Sequence, residues 1–567
     1  MGEALGAEHA NADPQVRPAD AQFGDFQSNL ALGLAKQLRQ KPRDLAQAIA
    51  DRLIADRSWF QRVEIAGPGF INLTLTDEAV VEATARTFDD ERLGVDAPER
   101  AERVVVDYGS PNLAKEMHIG HLRSSIIGDA IVRVLRFAGH DVILQNHIGD
   151  WGTPFGMLLE QLIDRGWDQA GDHSLADLNG LYAEARTRFD SEPAFAERCR
   201  QRVVKLQSGD AESLEFWRRL IAESCAHMNH VFELLGVLLR DADLRGESFY
   251  NSRLASVVDD LRTGGLLVES DGAQVVFCDG FTSKTGAPLP LIVRKTDGGY
   301  GYAATDLAAA RFRAELGATR VVYVVDARQS DHFAMVFWTL RKAGWAAAEV
   351  SLEHVAFGTI LGPDKKPFKT RAGGTVKLAE VLEEAVSRAR AALEARDRGL
   401  DSAELESIAR AVGVGAVKYA DLSSDRIKDY VFDYDRMLAL EGNTAPYLQY
   451  AYVRVQSILR RAKEENAGLR LAGSALLISE PVERQLMLLL ARLPRVIDQV
   501  VRSLEPHRLC GYLYELASLM HQFHERCPVL KAPEPRLRDS RLALSVLAGR
   551  SLRLGLELLG VTVVDRM

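Results

Sequence analysis

The amino-acid sequence predicts an α/β protein, with a parallel-sheet domain in the middle, a small α+β domain before it and an all-helical bundle after it. Three observations carry that expectation. A strand-like run at Val104–Val106 leads through a turn into a helical pattern from about His118 to Ala138, and a second strand-like run follows at Val142–Leu144. This is the β-α-β order of a parallel sheet with crossover helices. Val321–Val325 is a continuous apolar run of the kind buried on both faces of such a sheet, and a helix over 331–343 follows it. From residue 376 onward the apolar spacing is helical almost to the C-terminus.

Taken from the N-terminus, residues 1 to about 20 lack periodicity and read as a loose terminus. Asn29 to Ala55 is helical in spacing, with Pro42 at a helix start. Residues 63–75 read as two strands around a Gly-Pro-Gly turn, which completes an α+β domain over 1–95. The charged stretch 89–103 serves as a linker. The parallel-sheet domain is expected over 96–375, with an insertion over about 155–290 that is helical first and strand-like from 264. The helical bundle takes 376–567, its last helix running over 538–559 with Gly560 as its C-cap.

Bulk properties narrow the function. A chain of 567 residues is too long for one core, so three or four domains are expected. No apolar run reaches the roughly 18 residues of a membrane span, and the first 25 residues contain no apolar signal core. A cytoplasmic protein is expected. The five cysteines are scattered, which argues against a disulfide framework and a thiolate zinc site. The net charge of −9 argues mildly against a nucleic-acid partner, although it hides local patches such as Arg454, Arg460, Arg461 and Lys463.

The run from Asp107 to Ser124, DYGSPNLAKEMHIGHLRS, holds the densest chemistry. His118 and His121 are three apart and share one helical face. They are compatible with ordinary packing, or with binding phosphates at a helix start, where amides are exposed. Gly120 would let a flat ligand approach the backbone, and Lys115 adds a fixed cation. A zinc reading is weaker, because metalloprotease histidines are four apart with a Glu between them. No metal site is expected.

His118-Ile-Gly-His121 resembles the ATP-binding signature of class I aminoacyl-tRNA synthetases. The wider run 107–129 resembles arginyl-tRNA synthetases, as do Gly149-Asp-Trp-Gly-Thr153 and Glu441–Tyr450. The resemblance extends from Phe23-Gly-Asp25 to Met567. It implies a Rossmann-like catalytic domain and ATP-dependent ligation of L-arginine to tRNA(Arg) through an arginyl-adenylate. ATP would enter with Mg2+ as its counter-ion, and the enzyme is expected to be a monomer.

Residue by residue, the resemblance implies that His118, Gly120 and His121 contact ATP and that Lys115 assists at the carboxylate or α-phosphate. His332 would line the adenosine side. Asp107, Ser110, Asn112, Tyr302, Asp306 and Gln329 would surround arginine, with Arg328 a competing match for Gln329. Tyr302 and Asp306 face one side if a helix starts near 301. Asn29 in the N-terminal domain would lie toward the tRNA elbow, and Tyr447, Tyr450 and Arg454 toward the anticodon, where aromatics stack on unpaired bases.

Two departures stand out. The Lys-Met-Ser-Lys string of many class I enzymes is absent. Its place is taken by a Gly-flanked basic loop over 362–374, in which Lys369, then Arg371, then Lys366 are the candidates for neutralising pyrophosphate. Pro154 stands where the family more often has Gln. The competing readings are another class I enzyme, such as a cysteine or glutamine charger or a nucleotidyltransferase, and an RNA-binding scaffold without activity.

Overall fold

The computed structural model describes residues 12–55, 58–166, 178–283, 285–368, 376–396, 399–466 and 468–567. The chain forms two compact units. The first comprises residues 1–96, 451–496 and 512–553, and the second comprises 97–450, 497–511 and 554–567. Among the described residues no helix is long and apolar enough to cross a membrane.

In the first unit, strands β1 (Val16–Pro18), β2 (Phe26–Ser28), β3 (Phe60–Ala66) and β4 (Phe70–Leu75) form an antiparallel sheet in the order β1-β2-β4-β3. Helices Leu30–Leu38 and Pro42–Ala55 close one face around Leu30, Leu45, Ile49, Ile71 and Leu73. Gly69 lies at φ 145, and a Cβ there would meet the Pro42 carbonyl oxygen at 2.9 Å, so the turn between β3 and β4 needs glycine. Asp25 is committed to the fold. It accepts the Leu75 amide at 2.7 Å and a bidentate pair from Arg484 at 2.6 and 2.9 Å.

The second unit is built on a parallel sheet. Its strands β5 (Arg103–Asp107), β6 (Asp141–Gln145), β10 (Arg320–Tyr323) and β11 (Ser351–His354) lie in the order β11-β10-β5-β6. Val104, Val105 and Val106 are fully buried, as strands covered on both faces require. Helix Leu122–Ala138 crosses from β5 to β6, helix Tyr302–Glu315 precedes β10, and helix Ser330–Lys342 crosses to β11. Between β6 and β10 the chain forms helices, among them Thr153–Asp164, Pro193–Gln207 and Ala211–Leu235. An antiparallel sheet of β7 (Val268–Ser270), β8 (Ala273–Thr282) and β9 (Pro288–Arg294) follows. The short strands β12 (Ile360–Leu361), just before the basic loop, and β13 (Tyr430–Val431), after it, pair in parallel, and the chain past the loop is mainly helical.

β5 is the centre of the sheet. The chain moves from it to β6 on one side and later returns to β10 on the other, so the strand order reverses between β5 and β10. The crevice beyond the carboxyl ends of these two strands is where a sheet of this kind receives its ligand. The turn after Asp107 and the loop after Tyr323 both open there.

Candidate active site

The expected helix over 118–138 begins differently in the structure. Ile119–His121 is one turn of 3-10 helix, His118 is its N-cap, and the α-helix starts at Leu122. The cause is a reciprocal cap. His118 Nδ1 accepts the Gly120 amide at 3.1 Å, and His121 Nδ1 accepts the His118 amide at 3.1 Å. With both Nδ1 atoms accepting, each neutral ring carries its proton on Nε2. The rings lie 4.0 Å apart. Burial, the neighbouring His118 and Lys115 together push His121 down to about 3, while burial and Lys115 lower His118. Both are therefore neutral donors at neutral pH.

Gly120 has a further function that the spacing did not show. A Cβ on it would fall 2.8 Å from His118 Cε1, so glycine leaves room for the ring that caps it. Behind the pair, Arg123 is buried against Asp421 at 3.1 Å and donates to the Lys428 carbonyl, which anchors the helix start. In front, the Ile119 amide bonds Val376 O and the Leu378 amide bonds Met117 O, joining the histidine turn to the end of the basic loop. Lys115 is exposed, with its ammonium 4.4 Å above the Tyr182 ring. Lys366 sits on the exposed turn of that loop. Lys369 and Arg371 lie outside the described residues.

The turn after β5 is held by left-handed backbone at Gly109 (φ 82) and Ser110 (φ 43). Ser124 Oγ accepts the Gly109 amide, and Asn146 Oδ1 accepts the Ser110 amide at 2.8 Å. Asn112 is exposed and accepts the Ala114 amide on its Oδ1. Asp107 has partners other than those expected of it. Its Oδ2 is paired with Arg313 at 2.9 Å, and its Oδ1 accepts from Ser110 Oγ at 3.0 Å and the His147 amide at 3.2 Å. The carboxylate is only 5% exposed. It organises the turn from within and has little surface left for a ligand. Arg313 escaped the sequence reading. It is buried, stacks 4.7 Å from the Tyr323 ring and also donates to Gln145 Oε1.

Helix Tyr302–Glu315 starts with Gly301 as its N-cap, as the i, i+4 placement of Tyr302 and Asp306 requires. Tyr302 is 67% exposed, while Asp306 is largely buried, with Oδ2 2.6 Å from His332 Nε2 and Oδ1 3.8 Å from His147 Nε2. Burial would raise the Asp306 carboxyl, but His332, with His147 and Arg313, outweighs it and holds the carboxyl below its usual range. His332, expected toward adenosine, is joined to the acidic side of the site. Arg328 is committed to Asp326 through both its amide and its guanidinium, whereas Gln329 is exposed and makes no cap bond.

Glu247 was also missed. Burial, then Asp150 and Asp306, raise it to about 8 against Lys295. Asp150 is held by the Ser248 amide and hydroxyl, and a Cβ on Gly246 would fall 2.5 Å from it. A carboxyl kept protonated beside a second carboxylate marks a pocket short of positive charge. The only sequence signal for it was the acidic residue of the Gly-Glu-Ser run at 246–248.

Candidate RNA contacts divide by exposure. Tyr450 is 40% exposed and Tyr447 is partly buried, while the adjacent Tyr452 is buried. Arg454 contacts His521 at 3.2 Å and borders a cavity of about 260 Å³ with Arg461 and His524. Asn29 precedes helix Leu30–Leu38 without capping it, and its Oδ1 is buried without a partner. Among the described residues, no three His, Cys, Asp or Glu side chains are grouped so as to hold a metal ion.

A parallel sheet with its switch point beside a His-x-Gly-His turn defines the catalytic domain of a class I aminoacyl-tRNA synthetase. The family described as tRNA synthetases class I (R), catalytic domain, matches residues 84–434. The arginyl-tRNA synthetase N-terminal domain matches 2–75, and the DALR anticodon-binding domain matches 448–567. The chain is 52% identical to the arginine–tRNA ligase of Frankia casuarinae over 99% of its length and 96% of that protein. It is 50% identical to that of Thermobifida fusca, covering 100% and 97%. The structure resembles the arginyl-tRNA synthetases of Plasmodium falciparum (TM-score 0.84, 29% identity, 100% and 97% covered) and Thermus thermophilus (0.82, 27%, 100% and 98%). The chain belongs to the arginyl-tRNA synthetase family.

Proposed function

We propose that this enzyme ligates L-arginine to tRNA(Arg) in two steps through an enzyme-bound arginyl-adenylate, with ATP entering as its Mg2+ complex. The observation that carries this reading is the reciprocal His118–His121 cap, in the same unit as the Asp306 and Glu247 carboxyls. It supports neutral donors for phosphate, and the acidic groups of the same unit support a cationic substrate.

In the first step the arginine carboxylate attacks the α-phosphorus and pyrophosphate leaves. Charge builds on the phosphate oxygens, and the two Nε2–H groups are oriented in advance to meet it. Neutral imidazoles donate without needing a proton from solvent, and no side-chain nucleophile takes part. In the second step a ribose hydroxyl of the tRNA end attacks the carbonyl of the adenylate and AMP leaves. Asp306 as a carboxylate, and Glu247 once it gives up its proton to the incoming cation, would take the guanidinium, whose planar fork suits such acceptors. Tyr302, beside Glu247, and Gln329 would complete the pocket. Tyr447, Tyr450 and Arg454 would meet the anticodon and Asn29 the elbow, in a cytoplasmic monomer.

The test is ATP–pyrophosphate exchange and charging with each of the twenty amino acids, with and without total tRNA. Arginine alone should support both. Charging with a different amino acid, or none with arginine, overturns the reading.

A further inference from the structure

The Asp306 carboxylate is paired within its own chain. His332, from the first turn of the helix after β10, reaches across to it at 2.6 Å, and both side chains keep some exposure (26% for His332 and 17% for Asp306). This differs from the Asp107–Arg313 pair, where both partners are sealed and the cation cannot change its charge. An imidazole can change its charge at neutral pH. Other charged and titratable groups act on the pair. His147 stands at 3.8 Å from the other Asp306 oxygen, and Arg313 acts from the same helix. Glu247 lies within reach of the charges of Asp306, Asp150 and Lys295.

We propose that His332 is the resident counter-ion of Asp306 in the empty pocket and gives up its proton when the substrate guanidinium takes over that role. This rests on the assignment of Asp306 to arginine recognition. The imidazolium Nε2–H donates to Asp306 Oδ2. When a permanent cation settles on the same carboxylate, two positive charges compete for one negative charge, and of the two cations only the imidazolium can neutralise; Glu247, raised to about 8, is the other group there that can release a proton. The proton leaves from Nδ1 to the bulk buffer. Nε2–H stays as a neutral donor that keeps Asp306 oriented. His332 is therefore a positioning residue that adds proton linkage to arginine binding. Burial would lower its affinity for protons, but the Asp306 contact outweighs it and raises that affinity, which supports a charged resident form.

The sign follows from linkage: if binding expels a proton, arginine affinity rises with pH until His332 of the free enzyme is already neutral, then levels off. One fully coupled proton changes affinity about tenfold per pH unit, and partial protonation gives about threefold. The experiment measures the arginine KM and kcat of the full-chain enzyme in complete charging assays from pH 6 to 8.5, for wild type and His332→Gln. Gln can donate to Asp306 but does not titrate. Calorimetry of arginine binding in phosphate and in Tris at pH 7 counts the protons released.

KM in the wild type should fall with pH while kcat follows a separate profile. His332→Gln should flatten the KM profile and release fewer protons. The difference should persist in a Glu247→Gln background, which removes the other titratable carboxyl. Equal profiles and equal proton counts in wild type and variant overturn the proposal. If the variant does not fold, the His332 imidazole is titrated by NMR in wild type with and without saturating arginine, and an unmoved titration point overturns it. Absence of arginine charging at any pH sinks the functional reading and this proposal together. Charging with a flat KM profile sinks the exchange alone.

Discussion

Two carboxylates in the same domain, Asp107 at the end of β5 and Asp306 in the first turns of helix Tyr302–Glu315, had the same expected role. The structure separates them. Asp107 is saturated by groups of its own chain, with Arg313, Ser110 Oγ and the His147 amide covering both oxygens. Among the described residues Asp306 is paired with two imidazoles, one at 2.6 Å and one at 3.8 Å, with Arg313 acting from its own helix, and its charge helps raise a second carboxyl, Glu247, to about 8. A carboxylate paired with a buried arginine is part of the scaffold. One paired with an imidazole, whose charge can change, is the one proposed to receive a cation from outside.

The sharpest way to break this contrast is at the scaffold pair. Arg313→Ala leaves Asp107 buried without its counter-charge, and removing one partner of a buried pair costs about 3–5 kcal/mol. Urea unfolding should show that loss. Asp107→Asn should recover part of it in the double variant, since the orphan charge is then gone. A wild-type denaturation midpoint for Arg313→Ala would put Asp107 among the open carboxylates.

Asp306→Asn should do the reverse. Losing the charge opposite a desolvated guanidinium costs about 3 kcal/mol, so the arginine KM should rise by about two orders of magnitude. Stability should change by less than about 1 kcal/mol, because the His332 contact is partly exposed. A large loss of stability with an unchanged KM would place Asp306 with the scaffold.

How much of this the sequence showed depends on the range of the interactions. The parallel sheet was visible because Val104–Val106 and Val321–Val325 are local apolar runs. The His118–His121 turn was visible because its parts lie within four residues. Arg313 was not, because its partners Asp107 and Gln145 come from strands about 170 to 200 residues away and its own neighbourhood reads as an ordinary helix face. Glu247 failed for the same reason, since the charges that raise it, Asp150 and Asp306, come from two other segments. The boundary between 3-10 turn and α-helix at Leu122 was hidden as well, because side-chain capping set it and hydrophobic spacing did not.

The histidine turn allows a graded test. His121→Ala removes one oriented donor and should lower kcat about a hundredfold with little change in the arginine KM, as loss of a transition-state contact does. Because His121 titrates near 3 in the fold against 6.5 in the unfolded chain, its ionisation should not shape the rate between pH 6 and 9. Its effect on stability has one sign. Below about 6.5 the unfolded chain takes up a proton that the folded one refuses, so stability should fall progressively as pH drops from there toward 3. His121→Gln should remove that part of the acid sensitivity in urea titrations at pH 5 and 7.

Gly120→Ala should have the smallest effect and is the most specific probe of the turn. It leaves both imidazoles and all the charges in place. The added Cβ must push the His118 ring away from a 2.8 Å approach, which breaks the bond from the Gly120 amide to Nδ1. Freed from that bond, His118 loses the fixed ring orientation proposed to aim its Nε2–H at phosphate, and about one hydrogen bond's worth of orientation, roughly tenfold in kcat, should be lost. The His118→Ala, Gly120→Ala double variant should then be no slower than His118→Ala alone, because the glycine acts through that ring. Additive losses would mean that Gly120 instead serves as a direct approach surface for ATP, as the spacing alone suggested.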